Sequence, residues 1–184
     1  FKLRHIYVFS IKKLMKSKKN LVFLGMMGSG KSSIGSLVAK RLKLNFIDID
    51  KEIEKNFETT IKKIFENKGE TYFRKIEEQM TLKKLKLNST IISLGGGAFD
   101  NTNIRKEVLK NHLSFWLNWD YKILLNRIKN SRKRPLAMNA TDMEIIDLIK
   151  KRSNFYSKAL YEIKCDNFTK NEIVNKVIEI YETN

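Results

Sequence analysis

The chain has 184 residues, which is enough for one domain with a sizeable core but too few for a second domain of ordinary size. Hydrophobic residues make up 42% of the sequence, and no apolar run approaches the roughly 18 residues that a membrane-spanning helix needs. The single cysteine, Cys165, excludes an internal disulfide, so we expect a protein of a reducing compartment, the cytoplasm, with no membrane partner.

The chain is strongly basic, with 37 lysines and arginines against 20 acidic residues and a formal net charge of +17. This excess is typical of proteins that bind anions, including nucleotides, phosphorylated metabolites and nucleic acids. It is also typical of the lysine-rich surface of a protein from a lysine- and asparagine-biased proteome. We favour the second interpretation because the basic residues are spread along the chain. A nucleic-acid-binding module stays open as an alternative.

The first fourteen residues, 1–14, mix apolar side chains with four basic ones and do not begin with methionine. They fit a basic targeting leader, a linker from a larger protein, or a translation start set too early, with Met15 as the true first residue. We favour the last explanation. We therefore treat 1–14 as an extension and expect a single domain over 15–184.

A phosphate-binding motif follows the first predicted strand, Asn20–Leu24. The pattern G-x-x-x-x-G-K-[ST] is complete, with its fixed places filled by Gly25, Gly30, Lys31 and Ser32. Glycines let the backbone N–H groups turn toward an anion, and the predicted helix 31–42 brings its positive dipole end to the same point. The motif predicts a site for a nucleoside triphosphate, with Lys31 on the β- and γ-phosphates and the Ser32 hydroxyl on Mg²⁺.

Two carboxylates follow the next predicted strand, Asn45–Ile49. Side chains alternate along a strand, so we expect Asp48 and Asp50 to point to the same side, close to the phosphate loop. An alternative role for Asp50 is to cap the helix predicted over Lys51–Phe57. The pair suits Mg²⁺ and an acceptor hydroxyl.

Two helices, Ile61–Phe65 and Glu70–Leu85, are predicted on either side of Gly69. On the second helix, Arg74 and Glu77 are three residues apart and can form a surface ion pair.

A strand predicted over Thr90–Leu94 runs directly into Gly95, Gly96 and Gly97. Three glycines allow a ligand to approach the backbone closely, or they form a flexible turn; from the residues alone both interpretations stay open.

The segment 129–139 is basic and polar and holds the only proline, Pro135. It predicts a surface loop, and in a phosphate-loop enzyme such a loop is a candidate lid whose arginines neutralise the transferred phosphate. Two capping boxes, Thr141–Glu144 and Thr169–Glu172, should each open a helix, the first running to about Leu160.

The remaining periodicities complete a series of strands that alternate with helices, at Asn103–Leu109, Leu113–Leu117, Tyr121–Ile128, Tyr161–Cys165 and Glu172–Tyr181. This alternation predicts an α/β fold of three layers, with a mostly parallel sheet of five strands covered by helices on both faces. The phosphate loop, the aspartate pair and the triple glycine all follow strands, so they should meet at the carboxyl edge of the sheet.

From about Asn20 to the C-terminus the sequence resembles the shikimate kinases, a family of the P-loop, nucleoside-monophosphate-kinase-like group. Beyond the phosphate loop, the resemblance rests on several motifs: the aspartate pair, the stretch Ile-x-x-Ile-Phe-x-x-x-Gly-Glu-x-x-Phe-Arg-x-x-Glu over Ile61–Glu77, the triple glycine, Arg134-Pro135-Leu136 and Arg152-x-x-x-Tyr156. The family implies ATP-dependent phosphorylation of shikimate at its 3-hydroxyl, with Mg²⁺, in aromatic amino-acid biosynthesis.

The resemblance also implies roles for individual residues. Asp50 would hold the acceptor hydroxyls, and Asp48 would help Ser32 to hold Mg²⁺. The substrate carboxylate would be clamped by Arg74 and Arg152, the ring would contact the backbone of Gly95, Gly96 and Gly97, and Arg134 of the lid would meet the transferred phosphate. Arg127 would lie against adenine. The nucleotide phosphates would bind Gly25, Gly28, Ser29, Gly30, Lys31, Ser32 and Ser33.

Further implied features are a substrate-binding segment at about 50–86, a lid at about 129–139, and apolar walls from Ile61, Phe65, Phe73, Pro135 and Leu136. We expect a monomer that binds no specific nucleic acid. The alternative within enzymes is another small-molecule or nucleotide kinase of the same group, such as a gluconate or nucleoside-monophosphate kinase.

Overall fold

The computed structural model describes residues 19–130 and 140–183. Within them, five strands form one parallel sheet in the order β2-β3-β1-β4-β5. The strands are β1 Leu21–Leu24, β2 Asn45–Asp48, β3 Thr90–Ser93, β4 Leu113–Asn118 and β5 Tyr161–Lys164. The predicted five-stranded parallel α/β fold is confirmed.

Helices connect the strands and are numbered here in chain order. They are α1 Lys31–Leu42, α2 Ile49–Phe57, α3 Ile61–Leu85, α4 Thr102–Asn111, α5 Tyr121–Lys129, α6 Asp142–Tyr156 and α7 Lys170–Glu182, with a short 3₁₀ helix at Ala98–Asp100. Gly69 interrupts α3 with non-helical dihedral angles, φ 79° and ψ 171°, as the sequence predicted. Among the described residues, no helix is long and apolar enough to cross a membrane.

Alternation along the strands divides the core between the two faces of the sheet. On β1, the side chains of Leu21 and Phe23 pack under α1 and α7, whereas those of Val22 and Leu24 pack under α2 to α6. All four side chains are almost completely buried, because β1 is the central strand and helices cover both of its faces. The three predicted layers therefore follow directly from strand periodicity.

Most element boundaries lie within two residues of the predicted ones, but the boundary between β2 and α2 changes the geometry of the site. Strand β2 ends at Asp48, and α2 begins at Ile49, so Asp50 lies in the first turn of a helix. The expectation that strand alternation aligns Asp48 with Asp50 is therefore wrong. Asp48, and not Asp50, caps α2, because its Oδ1 accepts a bond from the backbone N–H of Lys51 at 3.3 Å.

Helix α6 ends at Tyr156 and not near Leu160. Its last turn tightens, since Lys158 N–H bonds to Phe155 C=O at 3.1 Å and Ala159 N–H to Tyr156 C=O at 2.8 Å. The chain then joins the sheet, where Leu160 N–H donates to the hydroxyl of Ser114 on β4 at 2.8 Å. Both capping boxes are confirmed, at Thr141–Glu144 and Thr169–Glu172.

Candidate active site

The phosphate loop connects the central strand β1 to α1. Three of its glycines, Gly25, Gly28 and Gly30, have φ of 139°, 82° and 89°, backbone conformations that side-chain-bearing residues rarely adopt. A side chain at Gly25 would also meet Ser29 Oγ at 2.9 Å. Lys31 Nζ donates to the carbonyls of Gly25 and Met26 at 2.7 and 3.1 Å, so its ammonium group lies within the loop. The loop thus has the shape of an anion cradle.

Ser32 and Ser33 begin α1, and their hydroxyls face different partners. Ser32 Oγ donates to Asp48 Oδ2, which brings the two side chains predicted to hold Mg²⁺ into direct contact. Ser33 Oγ donates to Gly30 C=O at 3.2 Å. A hydroxyl and a carboxylate at the mouth of a phosphate loop are hard oxygen ligands of the kind that Mg²⁺ prefers, and the remaining coordination positions would go to phosphate and water.

Asp50 lies across the carboxyl edge of the sheet from this pair. Its Oδ1 is 2.8 Å from where a Cβ at Gly95 would stand, and Glu77 Oε1 is 2.3 Å from the same point. A side chain at Gly95 would therefore displace two carboxylates. Although Asp50 is helical, it still reaches the triple glycine, as the sequence predicted.

Arg74 and Arg152 converge on Gly97 from two helices, α3 and α6. A Cβ at Gly97 would lie 2.6 Å from Arg74 Nη1 and 2.8 Å from Arg152 Nη2. Two guanidinium groups thus meet at one point although 78 residues separate them in the sequence. A pair of fork-shaped cations is well suited to a small carboxylate.

Each arginine is balanced by acidic side chains. Arg74 bonds to Glu77 at 2.7 Å and to Glu70 at 3.0 Å. The predicted pair with Glu77 is confirmed, but its predicted place on the surface is wrong, because Glu77 is buried. Arg152 Nε lies 3.5 Å from Asp100 Oδ2. Arg152 Nη1 contacts Met26 Sδ at 3.7 Å, and the residue is 4% exposed, so its charge is held inside the protein.

Burial shifts the protonation of this cluster. It raises the pKa of Glu77, an effect that Arg74 partly offsets. Burial likewise raises the pKa of Asp100, with Arg152 and Arg74 acting in the opposite direction. The hydroxyl of Tyr156 donates to Gly96 C=O, and burial raises its pKa, so it serves as a neutral donor that fixes the glycine turn.

These groups surround a cavity of about 640 Å³. Its polar lining includes Arg74, Glu77, Asp100, Lys151 and Arg152. Phe73, which the resemblance implies as an apolar wall, is 3% exposed, and the centre of its ring lies 4.6 Å from that of Phe65. The apolar lining comes mainly from Met26, Met27, Ile128, Ala140, Ile145 and Leu148.

Arg127 lies on the other side of the phosphate loop, on α5. Its guanidinium carbon is 3.9 Å from the centre of the Trp119 ring, and its Nη1 donates to Gly28 C=O at 3.4 Å. Trp119 Nε1 donates to Ser29 C=O at 2.9 Å. The lid residues Arg134, Pro135 and Leu136 lie outside the described residues.

Sequence reasoning missed Glu70, Asp100, Trp119 and Lys151. Glu70 stands four residues before Arg74 on a predicted helix, and this spacing could have identified it as a partner. Lys151 adjoins Arg152 in sequence. Asp100 carried no comparable signal, because Arg152 is 52 residues away, and neither did the bond from Trp119 to Ser29, which spans 90 residues.

The parallel sheet, the phosphate loop at its carboxyl edge and the acceptor cavity beside it define a P-loop kinase. The family model for shikimate kinase matches residues 27–182. The chain therefore belongs to the shikimate kinase family. Shikimate kinases use ATP as co-substrate with Mg²⁺, and they phosphorylate shikimate in the pathway to aromatic amino acids.

Individual shikimate kinases are also similar to this chain in sequence and in structure. The shikimate kinase of Bartonella quintana is 37% identical over 179 residues, covering 95% of this chain and 85% of the relative. That of Bacillus licheniformis is 38% identical over 168 residues, covering 88% and 93%. The structure of Acinetobacter baumannii shikimate kinase in complex with shikimate aligns with a TM-score of 0.86 at 26% identity, covering 94% of this chain and 97% of that one.

Proposed function

We propose that this chain transfers the γ-phosphoryl group of ATP to the 3-hydroxyl of shikimate, giving shikimate 3-phosphate and ADP. The observation that carries the proposal is the convergence of Arg74 and Arg152 at Gly97, beside Asp50 and across from the phosphate loop. This arrangement places a carboxylate-binding fork at one end of the cavity and a hydroxyl-binding carboxylate nearer the phosphates. Shikimate has a carboxylate at one side of its ring and hydroxyls at the other.

On the nucleotide side, the loop residues Gly25 to Ser33 bind the phosphates through backbone N–H groups and the Lys31 ammonium. Ser32 and Asp48 would hold Mg²⁺, which would neutralise charge on the β- and γ-phosphates. Asp48 also caps α2, the helix that carries Asp50, so the proposed metal ligand and the proposed acceptor-binding carboxylate are linked through one helix.

On the acceptor side, Asp50 receives the hydroxyl hydrogen bond and points the oxygen at the γ-phosphorus. A loose transition state does not require the proton to leave early, so orientation is the main contribution of this carboxylate. Gly95, Gly96 and Gly97 offer their backbone to the ring, and a side chain at Gly95 or Gly97 would come within 3.0 Å of the charged groups around it.

Substrate binding must rearrange the ion pairs of Arg74. The Glu70 side chain is 56% exposed, so water screens its pair with Arg74 and little is lost when that pair opens. The Glu77 side chain is only 3% exposed, and breaking its pair would leave a buried charge. The substrate carboxylate therefore takes the place of Glu70 on Arg74, while Glu77 keeps the guanidinium in position.

Arg134, which lies outside the described residues, matches the family position that meets the transferred phosphate, and we assign it that role together with Lys31. We further propose a single kinase domain over 15–184 with a lid at about 129–139, acting as a cytoplasmic monomer without a specific nucleic-acid partner. The basic charge is spread along the chain, which favours weak, salt-sensitive contacts with nucleic acid over a defined site.

An ADP-release assay with a panel of acceptors tests the function. We expect turnover with shikimate and none with gluconate, AMP or CMP, and no turnover in a Lys31→Met variant, which excludes a contaminating kinase. Turnover with one of the other acceptors but not with shikimate would overturn the assignment. Binding to nucleic acid that is tight and length-dependent near physiological salt would support the alternative module.

A further inference from the structure

Trp119 occupies a special position beside the phosphate loop. It directly follows β4, and its indole packs against the apolar clusters on both faces of the sheet. The ring is only half-buried, so one part of it remains accessible. A large aromatic side chain anchored in this way is held at the loop with little freedom to move.

Two contacts join this indole to the nucleotide side of the site. Its Nε1–H donates to Ser29 C=O at 2.9 Å, and the Arg127 guanidinium lies over its ring at 3.9 Å. Arg127 in turn reaches Gly28 C=O at 3.4 Å. Trp119 and Arg127 therefore donate to consecutive carbonyls of the loop and fix the turn at Gly28 and Ser29.

The cation–π contact also orients Arg127, which is itself exposed. An exposed arginine normally samples many rotamers, and ordering it costs conformational entropy. The guanidinium is thereby held over the indole and against Gly28 C=O, next to the loop that would hold the phosphates of a nucleotide. A guanidinium plane is a good stacking surface for a heteroaromatic base.

We propose that Trp119 is a positioning residue for the nucleotide base: it orders Arg127 as a stacking platform and steadies the Gly28–Ser29 turn. The proposal rests on the proposed ATP site but not on the identity of the acceptor. Trp119 should affect binding of the base, through Arg127, whereas the phosphates bind to the loop directly.

The test compares ATP with inorganic tripolyphosphate, which has the phosphates but no base. In the unsubstituted protein we expect ATP to bind more tightly than tripolyphosphate. In Trp119→Leu that preference should fall about tenfold, with tripolyphosphate affinity changing less than threefold. Trp119→Phe, which keeps a ring under Arg127 but loses the N–H bond to Ser29, should recover most of the preference.

A double-mutant cycle tests whether the effect passes through Arg127. Arg127→Leu alone should reduce the preference for ATP about as much as Trp119→Leu, and the double variant should be no worse than either single one. In steady-state assays KM for ATP should rise about tenfold in each, while KM for shikimate stays within twofold. A purely structural role would instead lower the unfolding temperature or change both affinities together.

Fluorescence supplies a readout that does not depend on catalysis. The sequence holds two tryptophans, and the other, Trp116, is 8% exposed in the core, so Trp116→Phe leaves Trp119 as the only indole. We expect ADP to change the emission of this variant more than pyrophosphate does at matched saturation. Equal changes for the two ligands, or an unaltered preference for ATP in Trp119→Leu, would overturn the proposal. If base-dependent binding is present but shikimate is not phosphorylated, only the proposed acceptor is wrong.

Discussion

Arg152 Nε lies 3.5 Å from Asp100 Oδ2, and neither this nitrogen nor Asp100 Oδ1 has a hydrogen-bond partner among the described residues. An acidic side chain thus stands in a cavity built for a carboxylate, in an ion pair whose geometry is poor. The pair neutralises Arg152 in the absence of substrate, but a bound carboxylate would face the charge of Asp100.

Asp100→Asn should therefore improve shikimate binding. The amide oxygen can still accept from Arg152, whereas the repulsion between two carboxylates disappears, so we expect KM for shikimate to fall about fivefold at pH 8, or about 1 kcal/mol. KM for ATP should not change. Steady-state kinetics with each substrate varied in turn checks both values, and a rise in KM for shikimate would mean that the pair is needed to orient Arg152.

The charge of Asp100 should also make KM for shikimate depend on pH. Because burial raises the pKa of Asp100, against the opposing influence of Arg152, Arg74 and Lys151, the carboxyl keeps its proton to a higher pH than an exposed aspartate. Protonated Asp100 does not repel the substrate. KM for shikimate should accordingly increase as pH rises through the titration of Asp100, and the increase should be smaller in Asp100→Asn.

Gly97→Ala should damage the acceptor site with little effect on ATP binding. The new methyl group would stand 2.6 to 2.8 Å from nitrogen atoms of Arg74 and Arg152, and both guanidinium groups would have to move. Displacement of binding groups by about 1 Å can cost about a hundredfold in rate, and we expect a loss of that order in kcat/KM for shikimate. Gly96→Ala is the matched control, since its nearest neighbours lie at 3.3 Å or more, and it should lose far less. Equal losses in the two variants would contradict the crowding argument.

Asp48, the proposed metal ligand, also caps α2, and two substitutions separate these roles. Asn is a good N-cap and Ala is not, so Asp48→Asn should keep the free energy of unfolding while Asp48→Ala loses about 1 kcal/mol. Both should shift the Mg²⁺ dependence of activity to higher concentration by about tenfold or more. Urea unfolding and Mg²⁺ titrations measure the two effects. An unchanged Mg²⁺ requirement in both variants would remove Asp48 from the metal site.

Asp50→Asn should abolish most transfer without weakening ATP binding. Loss of a group that positions or deprotonates the nucleophile lowers kcat by about 10²–10⁴-fold. Glu52→Gln, on the same turn of α2 but paired with Lys84, is the control and should retain activity. Single-turnover phosphorylation together with ATP affinity provides the comparison. Full activity in Asp50→Asn would exclude this residue from the mechanism.

Asn20 is a stability determinant outside the site. Its fully buried side chain donates to Leu85 C=O at 2.9 Å and Leu87 C=O at 2.7 Å, and it accepts from Thr90 N–H at 3.0 Å. Asn20→Ala leaves these groups unpaired, and we expect a loss of about 3 kcal/mol in the free energy of unfolding, with kcat unchanged in the folded fraction. Asn111→Ala removes only an exposed bond to Glu107 and should cost less than about 0.5 kcal/mol. Denaturant titration distinguishes the two.

Local patterns predicted most of the fold. The phosphate loop, the break at Gly69 and both capping boxes depend on residues close together in sequence, and each was correctly placed. The end of α6 was not, because no glycine or proline follows Tyr156; the helix stops where Ser114, on a distant strand, takes the N–H of Leu160.

In the candidate site, too, the residues of local motifs were predicted and the contacts between separate elements were not. Motif spacing identified Lys31, Ser32 and Asp48, and the structure brings the last two into contact. The pairing of Arg152 with Asp100 could not be predicted from the sequence, because these residues belong to elements that are far apart in the chain. Arg127 and Trp119 are close in sequence, but their contact depends on the turn between β4 and α5, which periodicity within a single element does not describe.

The all-parallel pairing of β1 has a consequence during synthesis of the protein. This strand pairs with residues 91–93 on one side and 113–116 on the other. Its four apolar residues are therefore synthesised long before either of the strands with which they pair. At about 5–20 residues per second, translation needs roughly 5–20 s to continue from β1 to the end of β4. Until β3 and β4 have been synthesised, Leu21–Leu24 lacks both of its sheet neighbours, and an apolar strand in that state is prone to aggregation.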